Sequence, residues 1–238
     1  MKRVHFEVGE SAVTILADDI YHKTAQDAIF EAREILHSKI SSDPFFATTY
    51  YPYPEDGRDD PMIRHMCRCS GSAGVGPMAG VAGAVALHAV SRMVEEGATF
   101  AIVENGGDIA MMIDREITVG LFTGDERLRD IALRVQPREG IFGICSSSGR
   151  IGPSVSFGQS DICTVISDDV ILADACATAF GNMLKEGSDM AAASDRICSI
   201  KGVDGCISSM NGKVSMQGDI PELVRRRVDE GNASRILL

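Results

Sequence analysis

Ala173-Asp174-Ala175-Cys176-Ala177-Thr178-Ala179, followed by Asn182, is small at most positions and polar at only three. Asp174, Thr178 and Asn182 stand at i, i+4 and i+8, so a helix projects all three from one side. The spacing predicts a helix over residues 172–185, stopped by Gly187. Such a helix has no broad polar face for water and belongs in the interior. Its polar stripe then has two uses. A carboxylate and a hydroxyl can give oxygen ligands to a hard cation such as Mg²⁺, or Asp174 can sit near the positive end of the helix dipole while Thr178 bonds back to its own helix.

A second stretch of the same kind is Met78-Ala79-Gly80-Val81-Ala82-Gly83-Ala84-Val85-Ala86, opened by Gly74-Val75-Gly76-Pro77. Pro77 suits a first helical turn, and a helix is expected to run to about Glu96 before Gly97. It too is small on every side and is expected against a sheet or a ligand. Outward from these two helices, a strand pair is read over 4–8 and 13–17 around Gly9-Glu10, then an amphipathic helix over 22–40. Residues 45–61, with several prolines and acidic residues, read as a long loop. Short apolar strands are expected at 100–103, 109–113, 117–121, 132–135, 140–145 and 162–166. A third helix is expected at 190–200, and a closing hairpin at Asn211-Gly212. Strands run in clusters between separated helices, which predicts an α+β fold of mixed or antiparallel strands packed around small-residue central helices. No repeat or linker divides residues 1–238, so one domain is expected.

Three turns carry polar groups between apolar segments. Gly76-Pro77 enters a helix, where unpaired amides attract anions, although close helix–sheet packing explains the glycines equally well. Asn105-Gly106-Gly107-Asp108 reverses the chain between two apolar strands. Cys145-Ser146-Ser147-Ser148-Gly149 follows the buried-looking strand 141–144 and offers hydroxyls and turn amides to a phosphate or a ribityl chain. No Gly-x-Ser-x-Gly elbow marks a nucleophilic serine.

His65-x-Cys67-x-Cys69 would place three soft ligands on one face if extended, and two half-buried cysteines are the plainer reading. The seven cysteines are odd in number and scattered, which argues for reduced thiols. With 23 Lys plus Arg against 34 Asp plus Glu, the formal charge of −11 disfavours nucleic acid as a partner. Charges within residues 1–17 and the want of a long apolar run point to a cytoplasmic protein without a membrane span.

The motif order resembles that of the ApbE-like superfamily, whose characterised members are Mg²⁺-dependent FAD:protein FMN transferases. Gly76-Pro77 resembles its Gly-Pro helix start, and Gly106-Gly107-Asp108 its Gly-Gly-Asp/Glu turn. Ser147-Ser148-Gly149 resembles its Thr-Ser-Gly turn, and the 174–179 stretch its Asp-Ala-x-Ala-Thr-Ala helix. Residues 74–83, 104–109 and 154–158 look still more like a short, functionally unassigned branch. The resemblance implies an ApbE-like fold and a metal held by Asp174, Thr178 and a backbone carbonyl at Ala110 or Met111. It implies FAD or FMN across the Gly76, Gly107 and Ser148 turns. It makes Asp174 the key residue of a phosphoryl or nucleotidyl-type transfer. The transferases also carry His-x-x-x-Pro-x-x-Gly before the metal helix, whereas residues 152–160 contain no histidine.

Two other functions compete with this one, a thiol or persulfide carrier of sulfur assimilation using Cys67 and Cys69, and a non-catalytic ligand binder. The expected partner is a small phosphorylated ligand, with self-association left open. The four motifs are expected to converge on one pocket.

Overall fold

The computed structural model describes residues 1–9, 11–123, 128, 130–149, 158–226 and 236–237. Two strands, β1 (Lys2–Val8) and β2 (Ser11–Ala17), open the chain, and the helices α1 (His22–Ser42), α2 (Phe45–Thr48), α3 (Pro61–Ala73) and α4 (Val81–Glu95) follow. Next come β3 (Ala101–Asn105), β4 (Asp108–Met112), β5 (Ile117–Gly120), β6 (Ile131–Val135), β7 (Phe142–Ser147) and β8 (Ile162–Ser167). Helices α5 (Val170–Met183) and α6 (Met190–Cys198) precede β9 (Val203–Met210), β10 (Lys213–Gly218), β11 (Glu222–Arg225) and β12 (Ile236–Leu237).

Eight strands form one sheet in the order β1-β2-β3-β4-β7-β8-β9-β10, and four form a second in the order β11-β6-β5-β12. Every pairing is antiparallel. Alternation of side chains sorts the large sheet into two apolar faces. Val103, Ala110, Cys145 and Val165 join the helices in one cluster. Ile102, Ile109, Met111, Phe142 and Ile144 join Ile117, Val119, Leu133 and Val135 of the small sheet in the other. The order of layers is therefore helices, large sheet, small sheet, which is the α+β architecture that the strand clusters predict.

Helix α5 is the buried axis of the helical layer, packed on β7 and β8 and against α3 and α4. It begins two residues before the sequence expectation because the Asp169 carboxylate caps it, accepting from the Ile171 and Leu172 amides at 3.1 and 3.2 Å. Its approach to α4 depends on two absent side chains. A Cβ at Gly83 would lie 2.9 Å from both the Asp174 Cβ and the Val170 carbonyl oxygen, and one at Gly80 would lie 2.9 Å from the Ile171 Cγ2.

Several boundaries differ from expectation. Pro77 opens a 3-10 turn, Pro77–Gly80, and the α-helix starts only at Val81. The strand expected at 140–145 is β7, shifted toward Ser147 because Gly140 adopts a positive φ of 79° that ends the preceding turn. Residues 45–61 are not wholly a loop, since Phe45–Thr48 closes one helical turn. The segment around His65 is helical rather than extended, because Asp60 caps α3, Pro61 fits its first turn and Gly74 ends it at φ 74°. Of the 154–158 resemblance only Gly158 is described; the rest, like Glu10 of the first turn, lies outside the described residues. One stretch, Pro77–Glu95, is long and apolar enough to cross a membrane, but half of it is buried inside this fold. It is a core element.

Two glycine substitutions should move stability in opposite directions. Gly83→Ala is expected to lower the unfolding free energy by roughly 1–3 kcal/mol, because the added methyl forces α4 off α5. Gly71→Ala, at an exposed position of α3 with nothing within 4 Å of the new carbon, should raise it by about 0.5–1 kcal/mol. Urea unfolding followed by circular dichroism measures both.

Candidate functional site

The Gly106-Gly107 turn joins β3 to β4 with φ of 65° and 113°, values that side-chain-bearing residues resist. It is tied at both ends. The Gly106 amide donates to the Ala12 carbonyl at 3.2 Å, and the Asn105 Nδ2 donates to the Ala82 carbonyl at 3.3 Å, just inside α4. Asn105 and Asp108 face each other across the turn, and both are buried. Asp108 also lies opposite Cys145 of β7, and its Oδ1 accepts from the Ser146 amide at 3.2 Å.

Asp174 meets this group from α5. Its Oδ2 accepts from the Gly83 amide at 2.7 Å, and the neighbouring Ala82 amide also favours its charged form. These are free amides of the first turn of α4, with the positive end of the helix dipole behind them. Even so, burial holds the Asp174 carboxyl well above the ordinary carboxylate range, and the neighbouring Asp108 carboxylate pushes it further. Cys145, fully buried beside the pair, is raised by burial and by both carboxylates. The groups acting on Asp174 are thus one carboxylate and two amides, with no basic side chain among them.

The remaining expected residues fall around this centre. Thr178 is half-buried, one turn along α5 from Asp174. Ala110 is fully buried inside β4, in register with Val103 and Gly143, so its carbonyl would serve the ladder and a cation at once. A carbonyl has two lone pairs for that. Ser147 ends β7, and Ser148 and Gly149 follow it half-buried, with the Gly149 amide donating to the Ser160 carbonyl at 3.1 Å. Gly149 packs on Gly158, whose carbonyl oxygen would lie 2.4 Å from a Cβ at 149. Gly76 and Pro77 are buried, and a Cβ at Gly76 would fall 2.0 Å from the Thr49 carbonyl oxygen. That glycine makes room for protein backbone rather than for a ligand.

The structure therefore gathers the Gly-Gly-Asp turn, the end of β7 and the polar side of α5, with Gly76 at a separate packing contact. For Cys145 and Ser146, which belong to the hydroxyl-rich run the sequence singles out, and for Gly83, the structure adds partners that sequence reasoning missed. Gly83 was visible as a small residue, but its partner on α5 was not. Cys67 and Cys69 do not form a working pair. Two residues apart on α3, they point in different directions, which also bars a disulfide between them. Burial pushes the Cys67 thiol up to about 11 and raises Cys69 further, so neither is an ionised, exposed nucleophile.

Two measurements follow from this chemistry. Asp174 binds its proton more tightly folded than unfolded, so its contribution to stability is present in acid and is lost as pH rises through the folded pKa. Asp174→Asn, which keeps an acceptor for the Gly83 amide, should melt at a higher temperature than wild type at about pH 8, and the gain should shrink toward about pH 4. Differential scanning fluorimetry across pH reads the gap. For the thiols, Cys198, the one half-buried cysteine among six buried ones, should alkylate before the other six. Peptide mass spectrometry after timed iodoacetamide labelling shows the order.

Comparisons with known proteins bear on the family and the fold. A family described as "AbpE bacteria" matches residues 1–202. A UPF0280 protein of Methanocella arvoryzae is 41% identical over 230 residues, covering 96% of this chain and 93% of the relative. Another, from Methanosarcina acetivorans, is 39% identical over 228 residues, covering 94% and 89%. Among solved structures, the flavin transferase ApbE from Vibrio cholerae superposes with a TM-score of 0.56 at 12% identity, over 91% of this chain and 96% of that one. The ApbE protein from Thermotoga maritima gives 0.56 at 13%, over 90% and 96%. At such identities the structural likeness concerns the fold, while the sequence matches reach further: the chain belongs to the ApbE-like family, among its UPF0280 proteins.

Proposed function

We propose that this protein binds a phosphorylated nucleotide, with flavin nucleotides the favoured class, together with Mg²⁺ at the Asp108–Asp174 pair, and that it carries out an FMN-type nucleotidyl transfer. One observation carries the reading: two carboxylates are buried together with only main-chain amides to offset the charge on Asp174. Such a pair is stable only if it keeps a proton or takes a cation. The donor set of Asp174, Thr178 and nearby main-chain oxygens is hard oxygen throughout, which suits Mg²⁺ better than a thiophilic metal. When bound, Mg²⁺ supplies charge neutralisation to the phosphates it touches.

The chain's own residues do the rest. Asp174 exchanges its proton for the cation, so binding strengthens as pH rises. Asn105 clamps the glycine turn to α4, and the φ values at Gly106 and Gly107 leave a backbone that a phosphate can approach closely. The Ser147 and Ser148 hydroxyls supply donors at the end of β7. Seven free cysteines suit a reducing, cytoplasmic setting. A second reading, binding without transfer, is favoured by the want of a histidine across residues 152–160.

Calorimetry of FAD, FMN and ATP, with and without Mg²⁺, on wild type, Asp174→Asn and Asp174→Ala tests the proposal. Mg²⁺-dependent flavin binding is expected, at least tenfold weaker in both variants. Equally negligible binding throughout overturns it. Release of AMP from FAD separates transfer from binding alone.

A further inference from the structure

Away from the acidic pair, at the capped end of α5, three unlike ligand atoms converge. His65 and Cys69, four residues apart on α3, project from one face toward Asp169. The His65 Nε2 lies 2.7 Å from the Asp169 Oδ2, and the Cys69 Sγ donates to the same oxygen at 3.3 Å. All three ligand atoms lie within 4.8 Å of one another. We propose that His65 Nε2, Cys69 Sγ and Asp169 Oδ2 form a binding site for a thiophilic divalent cation of the Zn²⁺ class, separate from the oxygen site on Asp108 and Asp174 and independent of the function proposed for it.

Helix capping does not account for this cluster. Asp169 caps α5 with Oδ1 alone, through the Ile171 and Leu172 amides, and its own amide is held by the Ser167 Oγ at 2.9 Å. The second oxygen is left for the imidazole and the thiol. The carboxylate is thus fixed before any metal arrives, as a ligand oriented by outer hydrogen bonds should be. Ligands about a tetrahedral Zn²⁺ sit roughly 3.3–3.7 Å apart, so the Cys69–Asp169 separation already fits and the His65–Asp169 one must open by under about 1 Å. Access exists from one side. The His65 and Asp169 side chains are 31% and 34% exposed, whereas Cys69 forms the floor at 5%.

On binding, the S–H bond of Cys69 breaks, its proton passes to solvent and the thiolate lone pair forms the S–metal bond. The hydrogen that His65 Nε2 shares with Asp169 passes to solvent, or to Nδ1 by tautomerisation, which frees the Nε2 lone pair for the metal, and no electron changes hands. Three protein ligands leave a fourth position for water, the pattern of open zinc sites. The sequence hid this set because it grouped Cys67 with His65 and Cys69; on the helix Cys67 turns into the core, and the third ligand is 100 residues away from Cys69.

Co²⁺ is the probe, because a thiolate–Co²⁺ bond gives a near-ultraviolet charge-transfer band and tetrahedral geometry gives intense visible absorption. Titrated into the intact, metal-stripped protein, Co²⁺ should bring the charge-transfer band to saturation at one bound ion per band-forming site, with Zn²⁺ abolishing the band and Mg²⁺ failing to. Cys69→Ser should abolish the charge-transfer band, and His65→Ala should weaken binding at least tenfold. Cys67→Ser, Cys176→Ser and Asp174→Asn should leave the band unchanged. Far-UV circular dichroism verifies that each variant is folded, and the partly exposed His65 supplies a test that does not disturb the core. No band in wild type, an unchanged band in Cys69→Ser, or an unchanged Co²⁺ affinity in His65→Ala overturns the site. The Asp174→Asn control separates this result from the fate of the flavin–Mg²⁺ reading.

Discussion

Backbone contact between α4 and α5, made at Gly80 and Gly83, is the constraint on which the rest of the helical layer depends. Without a Cβ at Gly83, the first-turn amides of α4 come within reach of the Asp174 carboxylate, 2.7 Å from the Gly83 nitrogen. A methyl at either glycine would meet α5 at 2.9 Å and hold the helices apart. The same α5 is seated on the sheet by a third glycine, since a Cβ at Gly143 of β7 would lie 2.9 Å from the Val170 Cα. Close packing and polar contact are here one fact: the amides reach the carboxylate only because the surfaces between them are bare.

That contact brings a carboxylate to a place where water cannot solvate it. Two amides and a helix dipole offset part of the cost, and the adjacent Asp108 adds to it. Structural stability gives no reason to bury two acids side by side; an apolar pair of similar size would pack the same space more cheaply. A site that exchanges a proton for a cation, as proposed for this pair, has such a reason.

Helix α5 therefore carries two carboxylates with opposite proton affinities. Burial would raise Asp169 as it raises Asp174, but the His65 hydrogen bond and its charge, with the Leu172 amide, bring Asp169 below the ordinary value. The difference lies in partners rather than in residue type. Asp169 faces an imidazole and a thiol at a solvent-facing helix end, and Asp174 faces another acid in the interior.

Much was legible in the sequence because it is local. The small-residue composition of residues 173–179 and 78–86 dictated buried helices, since neither has a broad polar face for water, and the clustered apolar runs dictated α+β layering. Helix α3 is not expected from the sequence, because Pro61 reads as the end of a loop and the alternating His65, Cys67 and Cys69 suggest an extended segment. What the tertiary structure alone decided concerns partners distant in the chain. Asp174 meets Gly83 across 91 residues, His65 meets Asp169 across 104, and Gly76 is claimed by the Thr49 backbone instead of a ligand. Periodicity fixes which side of an element a residue occupies, but only the packing of one element on another fixes what that side faces. A carboxylate's chemistry is set by what it faces.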